Sequence, residues 1–438
     1  MPLVPPLAEK LNAALEPSRR VDITPRDARL ADVRNKAHAV IGMRRSGKTC
    51  FLWQLLEARR ASVSSERAVY LSFDDDRLAD IGADQLDELF EEHYRRFPRL
   101  RGRETVSWFL DEIQLVAGWD RFVRRVLDTE KVELVVSGSS AKLLSREVHS
   151  SLRGRAMATV IRPFSFREFL RHRGDEPAKA ASRMTAGERS GIEKSLREYL
   201  RCGGFPEAQG LDQPTRVELL QGYVDTVLFR DIVERHRVSQ VAGLRWIVRH
   251  ALRNPCGSFS AKRLYDDLRS QGHAVAKDTV HALLDHVFDA FLFGAAAVAT
   301  ESERRRNTNP RKLYPVDHAL IDAFDTSGRP NTGHILETAV FNELARRGAE
   351  VAYVKTQDGC EVDFLARGAD GREELIQICA DPAEPSTWRR EVDALESAAK
   401  EHPRASRRVV VLEAGTLTRE RPPRVEVTPA YAWFLGAE

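Results

Sequence analysis

Cysteine is scarce in this chain. Its five residues (Cys50, Cys202, Cys256, Cys360 and Cys379) are scattered through 438 positions with no CxxC pair. That excludes a disulfide framework and a cysteine-ligated zinc site, and it points to a reducing compartment, the cytoplasm. Long apolar runs are missing as well. The longest, residues 291–299, falls far short of the roughly 20 residues needed to span a bilayer. The opening residues Met1-Pro2-Leu3-Val4-Pro5-Pro6 lack a basic segment followed by an apolar one, so no secretory signal is expected. Neither charge sign dominates: 68 Lys and Arg face 65 Asp and Glu, a net +3, too little to announce a nucleic-acid partner. There is no internal repeat and no low-complexity tract. What is present, 42% hydrophobic and 30% charged residues, suits a soluble protein with genuine cores, and the length predicts two to four domains.

The pattern along the chain changes several times. Residues 1–35 form a proline-punctuated lead-in. From 36 to 170, strand patterns (38–42, 68–73, 105–111, 132–138 and 158–161) alternate with helical ones (50–60, 85–96 and 120–128). This order predicts a parallel sheet covered on both faces. A polar break at 171–188 leads into a mostly helical stretch that reaches about 238. Residues 239–312 hold helical segments, an apolar strand-like run, and the arginine-rich stretch 304–312 that interrupts the pattern. A second α/β region fills 313–438.

The strongest chemical signal is Gly42-Met43-Arg44-Arg45-Ser46-Gly47-Lys48-Thr49, a full GxxxxGK-S/T phosphate loop. Gly42 and Gly47 let the backbone turn and aim its N–H groups at phosphate oxygens. Lys48 reaches the β- and γ-phosphates, and the Thr49 hydroxyl ligates Mg²⁺. A strand precedes the loop and a helix opening at Cys50 follows it, so the positive end of that helix dipole faces the anion. This set predicts that a nucleoside triphosphate binds with Mg²⁺.

Downstream, Thr105-Val106-Ser107-Trp108-Phe109-Leu110-Asp111-Glu112 is an apolar strand ending in two acids, at the edge where open α/β sheets bind ligands. Asp111 is expected to hold Mg²⁺ through water. Glu112 is expected to orient and polarise the attacking water, which favours hydrolysis over passive binding. Ser137 and Ser139 end the next strand. A hydroxyl there can hydrogen-bond the γ-phosphate or simply cap the next helix, with Ser139 the better placed. Arg153 and Arg155 are candidates for an arginine finger, supplied in cis or in trans, or else for solvated surface residues. Asp74-Asp75-Asp76 reads as a solvated turn.

Taken in order, these motifs carry a resemblance. The phosphate loop is followed by Phe109-Leu110-Asp111-Glu112-Ile113-Gln114, Leu152-Arg153-Gly154-Arg155, Pro163-Phe164-Ser165-Phe166 and Cys202-Gly203-Gly204-Phe205-Pro206-Glu207. The chain resembles prokaryotic AAA+-type ATPases of the archaeal-ATPase and STAND-like branch, whose members carry a C-terminal domain of unknown function. The resemblance implies a P-loop core at 36–170, a helical lid at 171–238, a winged helix at 239–312 and a nuclease-like domain at 313–438. It also implies a sensor or finger role for Arg155, and a lid contact to nucleotide for Gly204-Phe205-Pro206. From the residues alone, that glycine pair is a helix stop and turn.

Two appended elements remain. The segments 259–268 and 277–288 read as a helix-turn-helix with Ser260 as cap, and the second helix could enter a major groove. Lys277 is its one formal cation, beside Asp278 and Asp285, which is a poor footprint for duplex DNA. Use as an intramolecular lever or partner surface is favoured. The αβββαβ order from 333 onward resembles the PD-(D/E)XK nucleases, with Glu337 and Asp363 where that family's first acids lie. The following strand reads Gln377-Ile378-Cys379 where an acid and a lysine are needed, and a migrated Lys355 is the one substitute considered. A remnant without its chemistry is expected.

The expectation is therefore an ATP-hydrolysing switch that reports nucleotide state to its appended domains and to a protein partner, with a homo-oligomer possible and no membrane contact. The alternatives are an ATP-driven nucleic-acid-processing enzyme with a working C-terminal nuclease, and a transcription regulator that binds ATP without hydrolysis. DNA is a candidate partner through the winged helix and the C-terminal domain. No motif reads the purine, so GTP stays open.

Overall fold

The computed structural model describes residues 2–16, 23–33, 35–139, 154–328, 331–413 and 422–436. It divides into two compact units, Met1–Arg162 and Pro163–Glu438.

The first unit comprises α1 (Pro5–Leu15), β1 (Ala37–Ile41), α2 (Lys48–Arg60), β2 (Ala68–Ser72), α3 (Ala83–Arg96), β3 (Val106–Asp111), α4 (Trp119–Thr129), β4 (Val132–Gly138) and β5 (Ala156–Val160). The five strands form one sheet in the order β2-β3-β4-β1-β5, and every pairing is parallel. Parallel strands need crossovers, and helices on both faces bury them completely. β1 and β3 are accordingly buried at every position. On one face Phe51, Leu52 and Leu56 of α2 pack with Val40, Phe109 and Val135. Trp108 points the other way, because side chains alternate along a strand. Phe90 stacks on it at 4.0 Å and Phe122 meets Phe90 edge-on at 5.0 Å. The lead-in belongs to this core: Leu7 and Leu11 of α1 are buried.

The second unit begins with α5 (Phe166–Arg173), α6 (Ala186–Cys202) and α7 (Gln213–Thr226). α7 continues into a π-helical stretch, Val227–Glu234, and α8 (Val241–Arg253) follows. Capping boxes start α5 (Ser165 with Glu168) and α6 (Thr185 with Glu188). The helix-turn-helix is then β6 (Ser258–Phe259), α9 (Ala261–Ser270) and α10 (Lys277–Asp289), with Ser260 capping α9 as expected. After it come β7 (Phe293–Val298), α11 (Glu303–Thr308), β8 (Arg311–Pro315) and α12 (Ala319–Phe324). The remainder is α13 (Thr332–Arg346), β9 (Glu350–Lys355), β10 (Glu361–Arg367), β11 (Glu373–Cys379), α14 (Pro385–Glu401), β12 (Ser406–Val411), β13 (Glu426–Pro429) and α15 (Ala430–Leu435).

Several boundaries differ from the expectation, each for a local reason. Gly47 takes a left-handed conformation, φ 99°, so the helix after the phosphate loop opens at Lys48 and not at Cys50. The arginine-rich stretch is not an interruption, because Ser302 caps it into the short helix α11. The helix-turn-helix region and the C-terminal region share one eight-stranded sheet, ordered β13-β12-β11-β10-β9-β7-β8-β6. β7 pairs antiparallel with β8 and parallel with β9. The break set at 312 therefore falls inside β8. Residues 163–170, assigned by sequence to the ATPase core, lie in the second unit, where Phe166 and Phe169 pack against Tyr199 and Phe166 also meets Phe434.

Candidate nucleotide-binding site and a buried carboxylate cluster

The phosphate loop joins the carboxyl end of β1 to α2. Gly42 has φ +147°, and a Cβ there would lie 2.1 Å from the Ile161 carbonyl oxygen, so glycine is required. Arg45 (φ 66°) and Gly47 (φ 99°) are also left-handed, which turns successive amides toward a common centre. Lys48 Nζ donates to the carbonyls of Gly42 and Met43, at 3.1 Å each. Ser46 Oγ is buried with no hydrogen-bond partner among the described residues. A buried hydroxyl of this kind fits an oxyanion. Arg26 of the lead-in braces the loop, its guanidinium donating to the Ser46 carbonyl at 2.9 Å and to the Arg162 carbonyl at 2.5 Å. No sequence pattern marks Arg26, one arginine among many in a proline-punctuated segment.

Asp111 and Glu112 end β3 beside this loop. Thr49 Oγ1 donates to Asp111 Oδ2 at 2.8 Å, and the Tyr70 hydroxyl donates to the same oxygen at 2.9 Å. Burial, then the neighbouring Asp111 carboxylate, raise the Tyr70 phenol far above its ordinary value, so it stays protonated and donates. Ser137 Oγ donates to Asp111 Oδ1 and accepts from the Glu112 amide at 2.9 Å. Glu112 itself is left-handed, φ 55°, a costly backbone state for a non-glycine that is often found at functional positions. One Glu112 oxygen lies 4.0 Å from Lys48 Nζ and the other accepts from Gln114. The loop, Lys48, Thr49, Asp111 and Glu112 are thus brought together. The hydroxyl of Thr49 against the carboxylate of Asp111 is a hard-oxygen pair suited to Mg²⁺.

Ser137, ranked behind Ser139, touches both carboxylate residues. It lies at the carboxyl end of β4, beside the end of β3 that carries Asp111, and Ser139, also buried, lies just beyond the strand's end. Arg155 does not reach the loop of its own chain. It precedes β5, whose start pairs in parallel with the start of β1 (Ala37 with Ala156), whereas the phosphate loop leaves the other end. Five residues of strand, roughly 16 Å, separate the two edges, and Arg155 is exposed at the amino edge, paired with Asp128. Arg153 and any helix after Ser139 lie outside the described residues. Asp75 fills the turn role, accepting from the Arg77 amide at 3.1 Å and pairing with Lys10 at 3.1 Å. Replacing Ser137 with alanine should slow phosphate release about tenfold at saturating ATP, the equivalent of one lost hydrogen bond, with ATP affinity retained in an equilibrium binding titration.

The second unit holds the nuclease-like residues in a different arrangement from the one expected. The missing lysine is present in space, contributed by β8. Lys312 is buried, with Nζ 3.5 Å from Glu337, 3.6 Å from Asp363 and 2.7 Å from Glu361. Lys355, the substitute considered from sequence, is exposed on β9. Gln377 accepts from the Asp363 amide at 3.2 Å and donates to Glu391 of α14 at 2.6 Å, and Tyr314 donates to Glu337 at 2.9 Å. Burial, then Glu337, push Asp363 well above the usual carboxylate range against the opposing pull of Lys312. The same carboxylates raise Lys312 despite its burial, so it stays charged. Lys312 escaped the sequence reading because it sits at the end of an arginine-rich stretch and nothing there distinguishes an inward lysine from a solvated one.

Gly203 and Gly204 are packing glycines within the second unit. A Cβ on Gly204 would lie 2.3 Å from the Phe164 carbonyl oxygen, and the Gly204 amide donates to Asp317 at 2.6 Å. None of the described helices is long and apolar enough to cross a membrane.

An AAA domain family matches residues 34–170, and a domain of unknown function (DUF8612) matches residues 193–330. An uncharacterized protein of Methanocaldococcus jannaschii is 34% identical over 393 residues, covering 88% of this chain and 84% of its own length. A second, from Haemophilus influenzae, is 29% identical over 333 residues, covering 76% and 79%. Among solved structures, the Aeropyrum pernix ORC1 protein in complex with DNA is similar at 17% identity and a TM-score of 0.26, over 73% of this chain and 90% of that one. The chain belongs to the prokaryotic AAA+-type P-loop ATPases.

Proposed function

We propose that the first unit hydrolyses ATP with Mg²⁺ and that nucleotide state is relayed to the second unit and to a protein partner. The observation that carries this is the meeting of Lys48 and Thr49 with Asp111 and Glu112 around one loop of inward-turned amides. In this scheme the loop amides and Lys48 grip the β- and γ-phosphates. Thr49 and Asp111 would hold an Mg²⁺ ion, whose chemistry when bound would be to offset negative charge on the phosphates. Glu112, fixed through its amide on Ser137, orients the attacking water and draws its proton. Arg155 faces away from its own loop, so a finger role for Arg155 would be exercised on another subunit.

The nuclease alternative is disfavoured by Gln377, an amide where the site needs a further metal-binding acid, although Lys312 supplies the lysine. The test is phosphate release by wild type and by Lys48→Ala, with ATP and with GTP, with and without DNA. Wild type should turn over, and Lys48→Ala should lose both turnover and nucleotide binding. Equal rates would overturn the assignment. ATP binding without phosphate release under every condition would favour the non-hydrolysing regulator.

A further inference from the structure

α8 carries Arg245, Arg249 and Arg253 at four-residue intervals, so three guanidinium groups follow one face in steps of about 6 Å. The opposite face, Leu244, Ile247, Val248, Ala251 and Leu252, is buried. The three arginines line a cleft of about 690 Å³ together with Phe229, Trp246 and His250, and no carboxylate lines it. An ordinary solvated helix face carries both charge signs, and elsewhere in this unit arginines are neutralised: Arg173 by Glu198 at 2.5 Å, Arg197 by Glu413 at 2.7 Å. Among the described residues, none of the three α8 arginines has such a partner.

Aromatic rings are interleaved with these charges. Phe229, in the π-helical stretch, is 39% exposed, and the Arg245 guanidinium lies 5.3 Å from its ring centre. Trp246 stacks on His250 at 4.7 Å with the planes 9° apart. Burial lowers His250, so it serves as a flat neutral ring. α10, the helix that a winged helix would offer to a major groove, mixes Lys277 with Asp278 and Asp285. α8, unlike α10, offers a polyanion a row of cations with no acid interposed. Cations in a row select a phosphate backbone, and exposed rings between them select bases whose faces are free, which a duplex does not offer.

We propose that the α8 cleft binds single-stranded nucleic acid, with successive phosphates on Arg245, Arg249 and Arg253 and bases stacked on Phe229 and Trp246. The proposal is independent of the ATPase reading, because every residue it uses lies in the second unit.

The test is fluorescence anisotropy of the full chain with labelled oligothymidylate, oligouridylate and a blunt DNA duplex of equal charge, across a salt series. Wild type should bind the single strands more tightly than the duplex, and the DNA-to-RNA ratio identifies the source. The Arg245→Gln/Arg249→Gln/Arg253→Gln variant should lose at least about tenfold at low salt and flatten the log–log salt slope by roughly 2, about 0.7 for each lost phosphate contact. Phe229→Ala, a change at an exposed site, should weaken binding by about 5- to 150-fold with the slope unchanged. Lys48→Ala should bind the oligonucleotides like wild type, which separates this surface from the nucleotide site. The proposal falls if the triple variant binds like wild type, if the duplex is preferred, or if polyglutamate of equal charge competes as well as oligothymidylate.

Discussion

Changing Glu112 to glutamine should cut phosphate release by about 10²- to 10⁴-fold while ATP still binds. Glutamine keeps the size and the hydrogen-bonding reach of the side chain and loses only the ability to take a proton. The backbone supports a clean result, because the left-handed Glu112 conformation is held by its amide on Ser137, a contact the substitution does not touch. Binding should persist, since the loop amides, Lys48 and Thr49 remain. Single-turnover hydrolysis combined with a nucleotide-binding titration separates the two effects. A variant that hydrolyses at the wild-type rate would remove Glu112 from the chemistry.

The second large effect is structural. Lys312→Met leaves Glu337, Asp363 and Glu361 without their shared cation, and breaking a buried ion pair from one side costs about 3–5 kcal/mol. Denaturant unfolding should show this as a shifted midpoint, and adding Glu337→Gln to Lys312→Met should recover part of it. The pH dependence has a definite sign. Asp363 is raised in the folded state, so the fold retains a proton that the unfolded chain releases. Its contribution to stability is full below the ordinary carboxylate pKa, about 3.9, and is lost as pH climbs from there toward the raised folded value. Asp363→Asn should flatten that decline. If Lys312→Met were as stable as wild type at neutral pH, the cluster would not depend on its lysine.

Legibility from the sequence followed the length scale of the interaction. The phosphate loop, the acidic end of β3 and the αβββαβ order from α13 to β12 are local patterns, and local patterns survive in one dimension. Lys312 among carboxylates from two other elements, Arg26 on the Ser46 carbonyl and Tyr70 on Asp111 are meetings of residues separated by tens of positions. Their residue types are common, and no spacing marks them. Arg155 is a different case: strand direction decides which edge a residue occupies, and the parallel register of β5 with β1 puts it at the edge away from its own phosphate loop. The helix-turn-helix was visible as helices, yet the hairpin strands after it carry no trace of the additional partner, β9.

The β7–β9 ladder has a mechanical consequence. A hairpin hydrogen-bonded into a larger sheet is not free to swing by itself, so the helix pair α9 and α10 is yoked to β9–β13. Any stroke delivered to one must carry the other as a single lever arm. For the same reason, a chain ended after residue 312 would leave half of β8 and an uncovered β7 flank, an invitation to sticky self-association.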